Sequence, residues 1–530
     1  MRLFTAAWLL VLVSCASSPD GGTKENAANT ASIEGTVRDA GSNDPIAGAN
    51  VFVVRGLDQL QVRVLSDAEG RFLLPGLDPG RHTLAVTRDS YVVSNRQEIS
   101  GYPFQLKSGE RLKDVVLPMV HAGSIAGRVF RQDGTPAPRV EVQLLQNLYL
   151  MGRLQWSEVT RGGSSRDARI TTNDRGEFQA TGVDPGSYVI RFAPRELTVE
   201  SRVPGGVSAV PMLYPEVHVQ PGRETLLNDV KLKTARRAWV RVSVINQSGE
   251  SLEGFGSWTF KPQDWIGSNY PLVEDRITDS FHEFQPDSPG VYDITATWSS
   301  PGGRLTGTAR VHYRGADIDV QMPVTKASAK VTGRIVLRDG TDEARPVAGA
   351  EIAIGPRISY FGRTGPDGAF VLPGVYSGRY LLGYVRGLPV DAFVLSAKQG
   401  ARDLFKEEMV IESGEERLEI TGSTGAPVLV GTVTDANGRA IHNALVVLVP
   451  DSPLRERKDY YGAFKDTRTD QNGMFEIRGI TPGEYQAFAW RGAPSNAFRN
   501  AEFMKPFAGK GTPLKLALNG KATADLTLLD

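Results

Sequence analysis

The 530-residue chain carries 60 Lys and Arg against 60 Asp and Glu, a formal net charge of zero, with 57 Gly, 32 Pro and a single Cys. That balance argues against nucleic acid or an anionic membrane face as partner. With one cysteine no disulfide can form within the chain, so stability must come from buried apolar surface, and the Gly and Pro content fits an all-β chain with many turns.

The first element is an apolar run from Leu3 to Val13, preceded by Met1 and Arg2. It has about half of the ~20 residues a bilayer-spanning helix needs, so residues 1–14 read as a signal peptide. Leu12-Val13-Ser14-Cys15 resembles a bacterial lipobox. The resemblance implies that the Cys15 thiol takes a diacylglycerol, that the chain is cut before it, and that the new amino group is acylated, with palmitate as the expected label. Two or three acyl chains hold a membrane stably where one does so marginally. Ala16 follows the cysteine where Asp would retain a Gram-negative lipoprotein, which implies the outer membrane. Residues 15–31 then read as the lipidated Cys and a polar, flexible tether.

Beyond the tether one pattern recurs. An Asp/Asn-rich turn ends in Gly, then come x-Phe, a further Gly, Pro-Gly and x-Tyr. It runs Asp67, Gly70, Phe72, Gly76, Gly80, His82; Asn173, Gly176, Phe178, Gly182, Gly186, Tyr188; Asp367, Gly368, Phe370, Gly374, Gly378, Tyr380; and Asp470, Gly473, Phe475, Gly479, Gly483, Tyr485. A worn copy survives at Pro289-Gly290-Val291-Tyr292. Fixed internal spacing means tandem copies of one folded unit.

Each copy extends both ways. Upstream lie strands opening on Gly35, Gly127, Gly333 and Gly431, then turns such as Asp133-Gly134 and Asn437-Gly438, which tolerate the positive φ of tight hairpins. Downstream, Tyr292, Ile294, Ala296 and Trp298 alternate with Asp293, Thr295 and Thr297, the period of a strand with one buried face. About seven short strands per unit predict a Greek-key β-sandwich. The expected organisation is five tandem transthyretin-like or Ig-like sandwiches over residues 32–120, 121–235, 236–325 (divergent), 326–424 and 425–530. Ala401 to Met409 reads as the one short helix. Short linkers predict a semi-rigid rod or arc.

Gly-x-Val, Pro-x-x-Gly-Ala-x-Val (Pro45 to Val51), Asp-x-x-Gly-x-Phe and Gly-Leu-x-Pro-Gly together resemble the carboxypeptidase regulatory-like domain. The match is good in units one, two, four and five and poor in unit three. The resemblance implies a prealbumin-type sandwich of seven strands and says little of function, because such domains are appended to many kinds of protein.

The common signatures of an enzyme are missing from the sequence, and nothing in it nominates a catalytic Asp/Glu pair. A zinc peptidase needs His-x-x-Glu and a distant His. None of His82, His121, His218, His282, His312 or His442 has Glu three residues on. There is no Gly-x-Ser-x-Gly elbow and no phosphate loop. The acidic turns offer too few converging oxygens for calcium and read as Asx-type turns. No catalytic residue, metal or cofactor is therefore expected. Binding is expected in loops that differ between copies: Trp156 in residues 145–169, Trp258, Trp265 and Tyr270 in 255–270, Tyr460 and Tyr461 in 451–466, and the Phe-rich stretch 494–507. Aromatic groups flanked by polar ones suit sugar stacking or protein hot spots. The expectation is a non-catalytic, lipid-anchored envelope protein that displays sandwiches to a protein or polysaccharide. The alternative is a carbohydrate-binding accessory lipoprotein using Trp258 and Trp265.

Overall fold

The computed structural model describes residues 30–55, 59–93, 101–150, 152–158, 170–194, 207–209, 211–236, 238–246, 248–252, 256–262, 273–277, 281–286, 288–300, 303–326, 329–339, 343–355, 360–376, 378–412, 414–459 and 463–529. Cys15, Trp265, Tyr270, Tyr460 and Tyr461 lie outside them.

The alternation read from the first repeat becomes eight strands: β1 (Ala31–Asp39), β2 (Asn50–Arg55), β3 (Gln59–Leu65), β4 (Arg71–Leu77), β5 (Gly80–Thr87), β6 (Tyr91–Val93), β7 (Tyr102–Leu106) and β8 (Arg111–His121). They form two sheets, ordered β4-β1-β8-β6 and β3-β2-β5-β7. Ile33, Val37, Val51, Leu74, Leu84, Phe104 and Leu117 are buried between them. In β4 Phe72, Leu74 and Leu77 are buried while Arg71, Leu73 and Pro75 are exposed, with a register shift between Leu74 and Leu77.

The same arrangement recurs along the chain. Its cores are centred on Ile125, Phe178 and Tyr188; Val242, Phe284 and Tyr292; Ile335, Phe370 and Leu418; and Val433, Phe475 and Tyr485. The third copy lacks the acidic turn but retains Tyr292 and a core of Phe260, Ile294, Trp298 and Met322. The architecture is all-β. Among the described residues the one α-helix is the four-residue turn Ala501–Met504.

Sequence spacing did not reveal how each sandwich closes. The opening strand pairs in parallel with the last: β1 with β8, Gly123–Phe130 with Glu224–Leu226 and Val230–Lys231, Val240–Ile245 with Ile318–Pro323, Ala329–Arg338 with Glu415–Thr424, and Val428–Thr434 with Lys521–Thr527.

Two expectations change. Ala401 to Met409 is not a helix. Arg402–Asp403 pairs with Lys398 and Gln399 in a hairpin, and Leu404 N–H donates to Ala397 O at 2.9 Å, so the segment's first residues join the sheet, while Glu407 N–H closes a single turn on Asp403 O at 2.9 Å. The expected rod or arc gains contacts between sandwiches that are not neighbours in the chain. The fifth sandwich returns to the first, where Arg81 Nη2 donates to Arg468 O at 3.1 Å. It also returns to the second, where Asn500 Nδ2 donates to Gly152 O at 2.7 Å. It meets the fourth where the Arg457 guanidinium lies 3.4 Å from the Phe405 ring centre.

Candidate functional site

The repeated residues are best judged by what their polar atoms touch. Asp67 Oδ1 accepts from the N–H groups of Glu69 and Arg71 at 3.0 and 2.7 Å. Asn173 Oδ1 accepts from Arg175 and Glu177, both at 2.9 Å. Asp470 Oδ1 accepts from Asn472 and Met474 at 2.8 and 2.9 Å. These are Asx turns, with the oxygens turned onto the backbone. Among the described residues no three His, Cys, Asp or Glu side chains converge as metal ligands.

The glycine that ends the turn is required by space as well as by φ. At Gly176, φ is +72° and a Cβ would lie 2.2 Å from Val129 O. Further on, the signature tyrosine reaches back four residues to a carbonyl. Tyr188 donates to Asp184 O at 2.8 Å, Tyr292 to Ser288 O at 2.8 Å, Tyr380 to Tyr376 O at 2.9 Å and Tyr485 to Thr481 O at 2.6 Å. His82, in the tyrosine position, makes the same contact through Nε2 to Asp78 O at 2.7 Å. It acts as a packed strand residue.

One repeated position escaped the sequence reading. The residue before each acidic turn is Ser66, Thr172, Thr364 or Thr469, and each is buried. Its hydroxyl accepts from Ala49, Val140, Ala350 or Ala444 N–H at 2.8, 2.9, 2.8 and 2.8 Å. It donates to Ile46, Ala137, Val347 or Ile441 O at 2.7, 2.6, 2.6 and 2.6 Å. The signal in the sequence was a bare Ser/Thr, easily lost among turn residues.

The aromatic candidates separate. Trp258 sits on the strand Gly256–Pro262, not in a loop. Its ring packs 4.8 Å from His282, 6.0 Å from Phe284 and 6.1 Å from Trp298, so much of its surface faces the core. Trp156 lies half-buried on Arg153–Glu158, opposite Asn147. The Phe-rich stretch 494–507 folds back over the outer face of its own sheet. There Phe498 and Met504 join Leu445, Val447, Phe488 and Trp490 in a second core, with Phe503 and Phe507 packed against it. Phe503 also meets Tyr149 of the second sandwich at 5.8 Å. This explains why Leu445–Pro450 is buried on both faces.

Two titratable groups lie on the edge strand Lys465–Arg468 of that sheet. Burial pulls Lys465 down and pushes Asp466 up. Displaced groups of this kind mark candidate sites. Yet Lys465 and Asp466 are neighbours on one strand and point to opposite faces of the sheet, so they do not converge on one reacting atom. On the outer face of the first sandwich, an open groove of about 820 Å³ runs past Glu34, Thr36, Arg38, Leu65, Leu73 and Val116. Leu65 and Leu73 are 64% and 50% exposed, an apolar floor that the sequence did not nominate.

The first sandwich, with its Gly35 strand, Asx turn and returning His82, can now be compared with known families. Residues 32–108 match the carboxypeptidase regulatory-like domain. The match falls within the first sandwich, whose eight strands lie in two sheets. No curated protein matches the chain. Solved structures do. GBS52, the minor pilin of Streptococcus agalactiae, is 12% identical over 40% of this chain and 98% of its own, with a TM-score of 0.22. The shaft pilin SpaA of Lactobacillus rhamnosus GG is 9% identical over 39% of this chain and 98% of its own, with a TM-score of 0.21. BcpA, the major pilin subunit of Bacillus cereus, is 13% identical over 77% of this chain and 99% of its own, with a TM-score of 0.15. Likeness at this level carries no argument about what the chain does. Among the described residues no helix is long and apolar enough to cross a membrane.

Proposed function

We propose that the protein is a non-catalytic scaffold of the cell envelope, held to a membrane by acyl groups on Cys15, whose tandem sandwiches present surfaces to a protein or polysaccharide. One observation supports this above the others. The recurring polar residues, which in an enzyme would be the first suspects, turn their hydrogen-bonding atoms onto backbone groups of their own sandwich, as Tyr188 does with Asp184 O at 2.8 Å. The repeat therefore serves folding, and function falls to surfaces outside it. The groove past Leu65, Leu73 and Val116, rimmed by Glu34, Arg38, Asp67, Arg71 and Asp114, is a surface of the kind that protein partners cover. Glycan capture had its motive in Trp258 and Trp265; the core packing of Trp258 against Trp298 weakens it.

Metabolic labelling with radioactive palmitate, followed by fractionation, tests the anchor. The expected result is label in the wild-type protein and its recovery with membranes, with both lost in Cys15→Ala. Wild-type protein that takes up no lipid would overturn the anchored reading. Turnover of a peptide or glycan by the purified chain would overturn the non-catalytic one.

A further inference from the structure

The fifth sandwich meets the first at the edge of a sheet. β7 is the outermost strand of β3-β2-β5-β7. It pairs with β5 in the register Gly80↔Leu106, His82↔Phe104 and Leu84↔Tyr102. In an antiparallel ladder the N–H and C=O of one residue point to the same side and alternate residues to opposite sides. Pro103 and Gln105 thus present their backbone groups outward, where a further strand would lie.

Side chains of the fifth sandwich occupy that place. Gln471 imitates a peptide unit: its Oε1 accepts from Gln105 N–H at 3.1 Å and its Nε2 donates to Gln105 O at 2.8 Å. His442 Nε2 donates to Pro103 O at 3.0 Å, and its ring packs 4.8 Å from Phe104 and 6.4 Å from Tyr102. From β5, Arg81 Nη2 donates to Arg468 O at 3.1 Å and Thr467 Oγ1 at 3.3 Å. The contact is small and largely polar, and its centre is an imidazole.

We propose that this contact is a proton-operated clasp, closed while the His442 imidazole is neutral and released when it takes a second proton, so that the first and fifth sandwiches separate. The neutral ring already has the one N–H that Pro103 O needs. A second proton charges a ring that the contact with Phe104 and Tyr102 holds away from water. The charged and titratable neighbours are few. On the fifth sandwich, Asp470 favours the cation, but its Oδ1 already accepts two turn N–H groups at 2.8 and 2.9 Å. Arg468 opposes it as a further cation, one that burial itself pulls down to about 10. On the first sandwich, Arg81 is also a cation, and His82 holds Asp78 O at 2.7 Å. Burial pushes Tyr102 up to about 12, so its hydroxyl stays neutral. Burial prevails at His442 and pulls it below its ordinary 6.5, against the pull of Pro103 O and Asp470. The sign follows. The open form binds the proton more tightly than the closed one, so the clasp holds above the ordinary value and weakens as pH falls below it.

The amide of Gln105 is a direct reporter, because Gln471 is its partner, whereas Phe104 pairs within the first sandwich. Hydrogen exchange of the full chain is measured at about pH 7.5 and about pH 5 and corrected for intrinsic exchange, across the range in which histidine titrates. In the wild-type protein, protection of Gln105 should fall severalfold on acidification, while Phe104 stays protected. His442→Gln, which keeps an amide donor and cannot titrate, should lose that dependence; its Phe104 protection at about pH 7.5 reports that it is folded. Gln471→Ala should lower Gln105 protection at both pH values. Gln105 protection that is unchanged by pH in the wild-type protein, or that falls as far in His442→Gln, would overturn the clasp. So would a parallel loss at Phe104, which would mean unfolding of the first sandwich instead.

Discussion

Thr469 offers the sharpest test of how these sandwiches are held together. Its side chain is fully buried, at 0% exposure. The hydroxyl accepts from Ala444 N–H at 2.8 Å and donates to Ile441 O at 2.6 Å, bridging the backbone on either side of Asn443. Thr469→Val keeps shape and volume and removes both bonds. Each buried backbone group left without a partner costs about 1–3 kcal/mol, so the pair should cost about 2–6 kcal/mol, with the spread set by how far the turn relaxes. Thr469→Ser keeps the hydroxyl and loses one methyl, for about 1 kcal/mol; Ser66 fills the corresponding place in the first sandwich at 5% exposure. Stability of a multi-unit chain is not a single quantity, so the measurement must be local. Hydrogen-exchange protection along Leu445–Pro450 should fall by about thirtyfold to about twenty-thousandfold in the valine variant, that is about 1.4 kcal/mol per tenfold, and much less in the serine variant. A valine variant that keeps wild-type protection would refute the reasoning, because the hydroxyl would then not be a structural bridge.

Two further outcomes are expected. Gly368→Ala forces an L side chain into a backbone of φ +77°, with its Cβ 2.5 Å from Ile335 O; it should destabilise the fourth sandwich by more than about 1 kcal/mol, visible as faster exchange in Ala369–Val375 and unchanged exchange in the fifth sandwich. The N–H groups of Ser42 and Gly41, with His121, hold the Asp39 carboxyl below 3.8 despite burial. A carboxylate lowered in the folded state stabilises above its unfolded value and loses that contribution as pH falls through the folded one. Protection in β1 and β8 should therefore drop less between about pH 5 and pH 2 in Asp39→Asn than in the wild-type protein, as measured by exchange.

Much of the sandwich was legible because its demands are local. Gly176 has to accept a positive φ and a carbonyl 2.2 Å from where a Cβ would be, and the turn, the Phe and the Tyr follow within a few residues. That is why the spacing survives in repeat after repeat. The Ser/Thr bridge was missed because Ser66 and Thr469 are interchangeable for the bond they make and blend with ordinary turn residues. The parallel closure of Val428–Thr434 on Lys521–Thr527 joins residues far apart in the chain, and no local periodicity encodes it. The same holds for Gln471 on Gln105 and His442 on Pro103. A short linker limits slack, but it does not say in which direction the next sandwich turns. The Phe-rich stretch 494–507 was conspicuous in the sequence; its destination, the outer face of its own sheet, required knowing that Leu445, Val447 and Val449 left that face apolar.

The parallel closure has a mechanical consequence. A first and last strand that lie side by side and run the same way place the entry and exit of each sandwich at opposite poles. Tension applied along the backbone then loads the joining hydrogen bonds in shear, all together, instead of peeling them one by one. In the fourth sandwich that seam runs from Lys330↔Glu415 to Arg338↔Ser423. A string of such units resists extension most strongly along its own axis, and the few side-chain contacts of the fifth sandwich with the first and second would give way long before any seam does.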